Sequence, residues 1–319
     1  MDEHIEIHRY SLCSTGGLNS QSSRSEHPGF LIKYRDGYGA VHSWPELGDP
    51  VLSDLLEMLR ARDFSHPILQ NALHCARVDG EARLRGVSLF DGLDVPPSHA
   101  TSTLGLDAVS DAVAHGFEAV KVKLGRNLER ETKTLIGLHQ QFPELRWRLD
   151  FNHSLAQLDD LLIMLDSLPE TLRVLIDFIE DPTSDLDGIK TQGAKVRCIP
   201  IAVDRVVGAE ECSGQFRVLK PAVDNMEGEL GKLSGSDVQV VVTSYMDHPL
   251  GQSYAAWWAG KLRERGVPMN DFMGLKTDRL FETNEFSKLM SRFGPEWIAA
   301  EGAGFGFDRV LKSISWEKI

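Results

Sequence analysis

The sequence is poor in cysteine, in basic clusters and in long apolar runs, and each shortage removes a class of function. Its four cysteines, Cys13, Cys75, Cys198 and Cys212, are scattered along the chain. No close pair has metal-ligand spacing, and the pattern suits free thiols in a reducing compartment. The net charge of −13 comes with no basic patch, which argues against nucleic acid or an anionic membrane as a partner. The first eight residues carry neither a basic start nor an apolar run, so no secretion signal is expected there. No stretch approaches the length of a membrane span. A cytoplasmic protein is the expectation. A nucleotide-binding glycine motif is missing too, since Gly302-Ala-Gly304-Phe-Gly306 has the wrong spacing and comes too late.

What is present fits a globular chain of 319 residues with 42% hydrophobic content, long enough for a large barrel or a barrel with a smaller domain. Strand-like alternation marks Ile5–Arg9, Gly29–Tyr34 and Gly39–Trp44, and Asp36-Gly37 reads as a hairpin turn. His4 and His8 fall on the wet face of the first strand, beside Glu6, and are not expected to bind metal. Ser14–Ser25, rich in glycine, serine and asparagine, reads as a mobile loop. Helical periodicity covers Leu52–Arg62 and Ile68–Gly80. Strands followed by helices predict an α+β domain over residues 1–95.

After Pro96-Pro97 strand and helix alternate steadily, which predicts parallel strands with crossover helices over residues 96–294. The strands are expected at His99–Gly105, around Lys121 and Lys123, and at Leu145–Phe151, Val174–Ile179, Ile199–Val203, Phe216–Leu219 and Val238–Ser244. With no nucleotide motif to support an open sheet, a closed (β/α) barrel is preferred. The Trp257-Trp258 pair reads as helix packing on that barrel. The stretch Gly294–Phe307 is expected to return to the first domain, so that 295–319 joins it.

The stretch that organises the rest is Phe117–Gly125. Lys121 and Lys123 alternate with Val120, Val122 and Leu124, so both lysines share one strand face. An ammonium among apolar neighbours loses solvation, and its pKa falls toward the range useful for a base. The following strands end in turn at Asp150, Glu180, Asp204 and Lys220, spaced near the roughly thirty residues of a βα unit. A barrel gathers these ends at one mouth. Three carboxylates there need a cation, and an all-oxygen set favours Mg²⁺, or Mn²⁺, over zinc. With flanking lysines the set points to abstraction of a proton beside a carboxylate, the divalent ion stabilising the enediolate.

These residues resemble the enolase superfamily, in its branch of muconate-lactonising enzymes and o-succinylbenzoate synthases. The matching pieces are Lys121-Val-Lys123, Leu149-Asp150-Phe-Asn152, Ile179-Glu180-Asp-Pro182, Ala202-Val-Asp204, Leu219-Lys220-Pro221, Thr243-Ser244 on to Asp247 and Gly251, and Gly274-Leu275-Lys-Thr277. No single piece is specific; the ordered set is. The resemblance implies a modified TIM-type (β/α) barrel under an N-terminal α+β capping domain. It implies that Asp150, Glu180 and Asp204 bind Mg²⁺, that Lys123 is the base, and that Lys220 faces it across a small-molecule carboxylate substrate.

By the same resemblance Lys121 sits near the substrate carboxylate and helps to depress the pKa of Lys123. Arg148 is either a substrate contact or a barrel-interior salt bridge. Asn152 orients a metal ligand or the substrate, Ser244 and Gly274 touch a second part of the substrate, and the Ser14–Ser25 loop is the lid. Chain length and the lack of an Asp-x-Asp near the eighth strand favour o-succinylbenzoate synthases within the branch. Arg205, Asp247 and His153 depart from the family pattern. An N-succinylamino acid racemase or dipeptide epimerase on the same scaffold is the alternative. A non-catalytic barrel is disfavoured because all five residues Lys123, Asp150, Glu180, Asp204 and Lys220 are present.

Overall fold

The structure is a computed structural model that describes residues 4–16, 18, 24–185, 199–204, 216–290 and 293–319. Arg205, Cys198, Cys212 and part of the Ser14–Ser25 loop lie outside the described residues. Three antiparallel strands open the chain: β1 (Glu6–Cys13), β2 (Glu26–Tyr34) and β3 (Gly37–His42). They are followed by α1 (Leu52–Arg60) and α2 (Pro67–Arg85). One face of this sheet packs Ile5, Ile7, Phe30, Ile32 and Val41 against Leu55, Leu59, Leu69 and Ala76 of the two helices. Glycine makes the approach possible: a Cβ at Gly37 would lie 1.9 Å from the Ala76 carbonyl oxygen, so backbone meets backbone there.

The second sheet has eight parallel strands. They are β4 (Ser98–Ser102), β5 (Ala119–Lys123), β6 (Arg146–Asp150), β7 (Ile176–Glu180), β8 (Ile201–Val203), β9 (Phe216–Leu219), β10 (Gln239–Val242) and β11 (Met273–Lys276). Their spatial order is β10-β9-β8-β7-β6-β5-β4-β11. A parallel bridge between Thr243 and Gly274, with Ser244 N donating to Gly274 O at 2.9 Å, brings the two ends of the sheet together. The result is the expected barrel, sequential strands lying side by side and β11 closing it between β10 and β4.

Crossover helices α3 (Leu106–Ala114), α4 (Leu128–Gln141), α5 (Leu158–Ser167), α6 (Glu170–Arg173), α7 (Met226–Leu233) and α8 (Pro249–Glu264) cover the outside. Their starts are written in the sequence. Asn127 accepts from Arg130 N, Asn225 from Gly228 N, and His248 from Leu250 N with Pro249 in the first turn. The outward faces of β5 and β6, Val120, Val122, Trp147 and Leu149, bury against Val109, Leu135, Leu138 and Leu161 of the helices. Burying a side chain of this size contributes about 1.5–3 kcal/mol, so each of these positions helps to hold the helices on the barrel.

Trp258 is buried and Trp257 half-buried within the core between α8 and the first domain, as helix packing. The C-terminal segment contacts α2 and β1. Asp79 on α2 accepts from Tyr38 N and Phe305 N, and Arg83 reaches Asp308 and Gly306 O. α9 (Asp308–Ser313) follows, and β12 (Glu317–Lys318) pairs with β1. No helix among the described residues is long and apolar enough to cross a membrane.

Candidate active site

Parallel register sets the site before any side chain is considered. Lys121 lies opposite Arg148, Lys123 opposite Asp150, and Asp150 opposite Glu180. Adjacent strands therefore deliver Lys123, Asp150 and Glu180 to one level of the barrel mouth. Lys121, Lys123, Asp150, Asn152, Glu180, Asp204, Lys220, Ser244 and Gly274 all line one cavity of about 330 Å³. All the site residues read from the sequence are brought together except one.

The exception is Arg148. It is fully buried beneath the cavity and does not line it. Its guanidinium donates to Asp177 at 3.2 Å, to His99 Nδ1 at 2.6 Å and to Asn270, and lies over the Phe178 ring. Of the two roles expected for it, the structure has the interior salt bridge. The reason is depth: two residues on a strand are about 6.6 Å, so Arg148 shares the face of Asp150 but sits a layer lower.

Within the cavity the lysines hold the carboxylates apart. Lys121 Nζ is 3.0 Å from Asp150 Oδ2 and 2.7 Å from Glu180 Oε1, and Lys220 pairs with Asp204. Asn152 steadies Asp150 through both its side-chain amide, at 2.8 Å, and its backbone N–H, at 3.1 Å. Burial pushes the Glu180 carboxyl up to about 7 against the pull of Lys121, with repulsion from Asp150 and Asp204 adding to the rise. Asp181, which the sequence reading left out of the site, also lines the cavity, and burial with Asp204 beside it pushes it up to about 7.

Two lysines on one strand face have opposite fates. Burial tends to depress Lys121, but Asp150 and Glu180 override it and hold its pKa above the ordinary value. Burial wins at Lys123, whose pKa falls despite the pull of Asp150, helped by repulsion from Lys121. Lys123 Nζ makes one hydrogen bond among the described residues, to the carbonyl of Leu18 in the Ser14–Ser25 stretch.

Among the described residues no three Asp, Glu, His or Cys side chains are drawn tightly enough to hold a metal ion. The donor set nevertheless fits one. Five carboxylates, Glu46, Asp150, Glu180, Asp181 and Asp204, line one cavity with three lysines, Lys121, Lys123 and Lys220, so oxygen donors outnumber the cations beside them. Asp150, Glu180 and Asp204 are the residues suited to a hard divalent cation.

The sequence reading also missed parts of the wall. Glu46, Leu47 and Gly48, from the 3₁₀ turn Pro45–Leu47 of the first domain, line the cavity, as does His99 of β4. Trp44 Nε1 donates to Tyr245 O at 2.9 Å and Tyr245 Oη to Asp49 at 2.6 Å, pinning that turn to the loop after β10. Asn152, His153, Asp181 and Met246 all have positive φ, between 43° and 57°. Four non-glycine residues in left-handed backbone just past strand ends are the kind of local strain that clusters at functional sites. Of the departures from the family pattern, His153 lines the cavity with Nε2 3.5 Å from Asp181. Asp247 is buried away from it under α8, and burial raises its pKa to about 7.

Known proteins share this fold. A family model described as "O-succinylbenzoate synthase, N-terminal domain" matches residues 5–82. An o-succinylbenzoate synthase from Bdellovibrio bacteriovorus is 30% identical over 99% of this chain and 98% of its own length. Among solved structures, a mandelate racemase/muconate lactonizing protein from Herpetosiphon aurantiacus superposes with a TM-score of 0.77 at 18% identity, covering 95% of this chain and 97% of that one. An N-succinyl Arg/Lys racemase from Bacillus cereus gives 0.79 at 14% identity, covering 99% of each. Such identities speak for the barrel-and-cap fold alone, whereas the full-length relative reaches further. The chain belongs to the o-succinylbenzoate synthase family, a family of lyases within the enolase superfamily.

Proposed function

We propose that the protein dehydrates 2-succinyl-6-hydroxy-2,4-cyclohexadiene-1-carboxylate to 2-succinylbenzoate, a step of menaquinone biosynthesis, in the cytoplasm. Residues 96–294 would be the catalytic barrel, with 1–95 and 295–319 its cap. The observation that carries the reading is a buried lysine of lowered pKa, Lys123, in one cavity with Lys220 and the carboxylates Asp150, Glu180 and Asp204. A lysine whose pKa burial lowers, beside a carboxylate-rich pocket, suits removal of a proton α to a carboxylate.

Asp150, Glu180 and Asp204 would hold Mg²⁺, which when bound supplies Lewis-acid stabilisation of charge developing on the substrate carboxylate. Neutral Lys123 takes the α-proton and the freed electron pair moves into the carboxylate. As its ammonium, Lys123 then returns that proton to the departing hydroxyl, so one water leaves and the ring becomes aromatic. Lys220 and Lys121 add positive charge around the developing anion, and Asn152 keeps Asp150 in place. Leu18, whose carbonyl accepts from Lys123, and the Glu46–Gly48 turn in the cavity wall would shield the reacting groups from water.

The test is aromatisation of the cyclohexadiene with Mg²⁺, run beside Lys123→Ala and a chelator-stripped sample. Turnover lost in both controls supports the reading, and a folded, Mg²⁺-supplied wild type without turnover overturns it. The second reading, an N-succinylamino acid racemase or dipeptide epimerase, is favoured by the presence of both Lys123 and Lys220 in one cavity. It requires exchange of solvent deuterium into the α-position of an N-acyl amino acid or dipeptide.

A further inference from the structure

The floor of the cavity carries a ring nitrogen and a hydroxyl that have no hydrogen-bond partner among the described residues. His99 is 2% exposed, lines the cavity, and has its ring pinned from below by Arg148. A guanidinium has only donors, so in the 2.6 Å contact from Arg148 Nη1 the His99 Nδ1 must be the acceptor. The imidazole proton of the neutral ring is then fixed on Nε2. Burial, with the positive charges of Arg148 and Lys121, holds its pKa well below the ordinary value and keeps the ring neutral. Among the described residues no group accepts from Nε2. Beside it, the buried hydroxyl of Thr243 also has no hydrogen-bond partner.

Between these two lies Gly274. A Cβ there would come 2.6 Å from the Thr243 methyl and 3.0 Å from His99 Cε1, so the lack of a side chain keeps a notch open between them. A buried hydroxyl without a partner, as at Thr243, is unusual in a well-packed interior, and His99 beside it faces the open cavity. We propose that the notch receives a carbonyl oxygen of the substrate, with His99 Nε2–H and the Thr243 hydroxyl as its donors and Arg148 as the positioning residue that sets the His99 tautomer. Resting on the dehydration reading, this assigns the keto oxygen of the succinyl chain. Two uncharged donors suit a ketone, whereas carboxylates have the lysines and the cation site to go to.

The experiment compares binding of 2-succinylbenzoate with its analogue carrying CH₂ in place of the ketone, in the Mg²⁺-supplied wild type and in His99→Phe. Wild type is expected to prefer the ketone about tenfold, the scale of one or two neutral hydrogen bonds, and His99→Phe to lose that preference while still binding the analogue. ¹⁵N NMR of the wild type is expected to show Nε2 protonated and Nδ1 bare, with Nε2 shifting when the ketone binds. Arg148→Met is expected to mix the tautomers. Equal affinity of the wild type for both ligands, or a proton found on Nδ1, overturns the notch while leaving the dehydration reading standing. Failure to turn over the cyclohexadiene or to bind either ligand sinks both.

Discussion

Two buried polar clusters lie one layer apart in the same barrel, and they are built on opposite principles. Below, Arg148 and Arg146 share Asp177, Arg146 also reaches Asp271, and His99 and Asn270 complete the contacts of Arg148, so that two guanidiniums meet two carboxylates and the Arg148 nitrogens are all used. Above, Lys121 and Lys220 face Asp150, Glu180, Asp181 and Asp204, and the acids keep raised pKa values at Glu180 and Asp181. A network closed on itself holds shape, while one left with surplus charge is waiting for a ligand to complete it. The contrast identifies the mouth as the chemical layer and the floor as its support.

The largest expected effect separates the layers by activity. Lys123→Ala should lower kcat by about 10²–10⁴-fold, the usual worth of a general base, with its Tm little changed, since Lys123 holds one backbone carbonyl and no carboxylate. Kinetics beside thermal melts check both halves. A variant that keeps most of its kcat would move the base elsewhere.

Next comes stability. Arg148→Met leaves Asp177 with Arg146 as its remaining ion-pair partner and should cost about 1–3 kcal/mol in urea unfolding. Lys121→Met, which strips Asp150 and Glu180 of their shared ammonium, should cost a comparable amount. The layers then diverge: added MgCl₂ should recover much of the loss in Lys121→Met, by binding where charge is in surplus, and none of it in Arg148→Met. Equal recovery in both, or in neither, would break the distinction between a closed floor and an open mouth.

That distinction was only half legible in the sequence. Strand ends announced Lys123, Asp150, Glu180, Asp204 and Lys220, because a parallel barrel converts a repeat along the chain into a ring at one mouth. Arg148 carried the same periodic signal as Asp150, and only the register with Lys121 and the packing of Phe178 and Asn270 reveal that it lies beneath. His99, and the Glu46–Gly48 turn with its anchor from Trp44 to Tyr245, depend on contacts between residues far apart in sequence. Periodicity carries no trace of those. Asp181 had a signal, an acid directly after the strand-end Glu180, but its left-handed backbone turns it into the cavity in a way alternation does not foresee.

pH sharpens the comparison further. Lys123 acts as a base only when neutral, so log kcat/KM should climb with unit slope as pH rises and level off at a pKa below the ordinary lysine value of about 10.4. Stability carries the same sign. Below the folded pKa the native state must bury the Lys123 charge, and that cost disappears as pH rises through the window up to the unfolded value. Lys123→Met should therefore be more stable than wild type at neutral pH, with the advantage vanishing toward pH of about 10.4. An advantage independent of pH would mean that burial does not govern this lysine.

The smallest effect tests whether every polar group at the mouth belongs to the open cluster. Ser244 lines the cavity, yet its hydroxyl is already paired with Thr277 Oγ1 at 2.7 Å, joining the ends of β10 and β11 where the barrel closes. It has the position of a mouth residue and the satisfied bonding of the floor. If bonding rather than position decides the role, Ser244→Ala should cost about 0.5–1.5 kcal/mol of stability, the net worth of one neutral hydrogen bond, and leave kcat within about twofold. Urea unfolding and steady-state kinetics on the same preparation decide it. A drop in kcat without loss of stability would instead make Ser244 a substrate contact and would extend the open layer to the seam between β10 and β11.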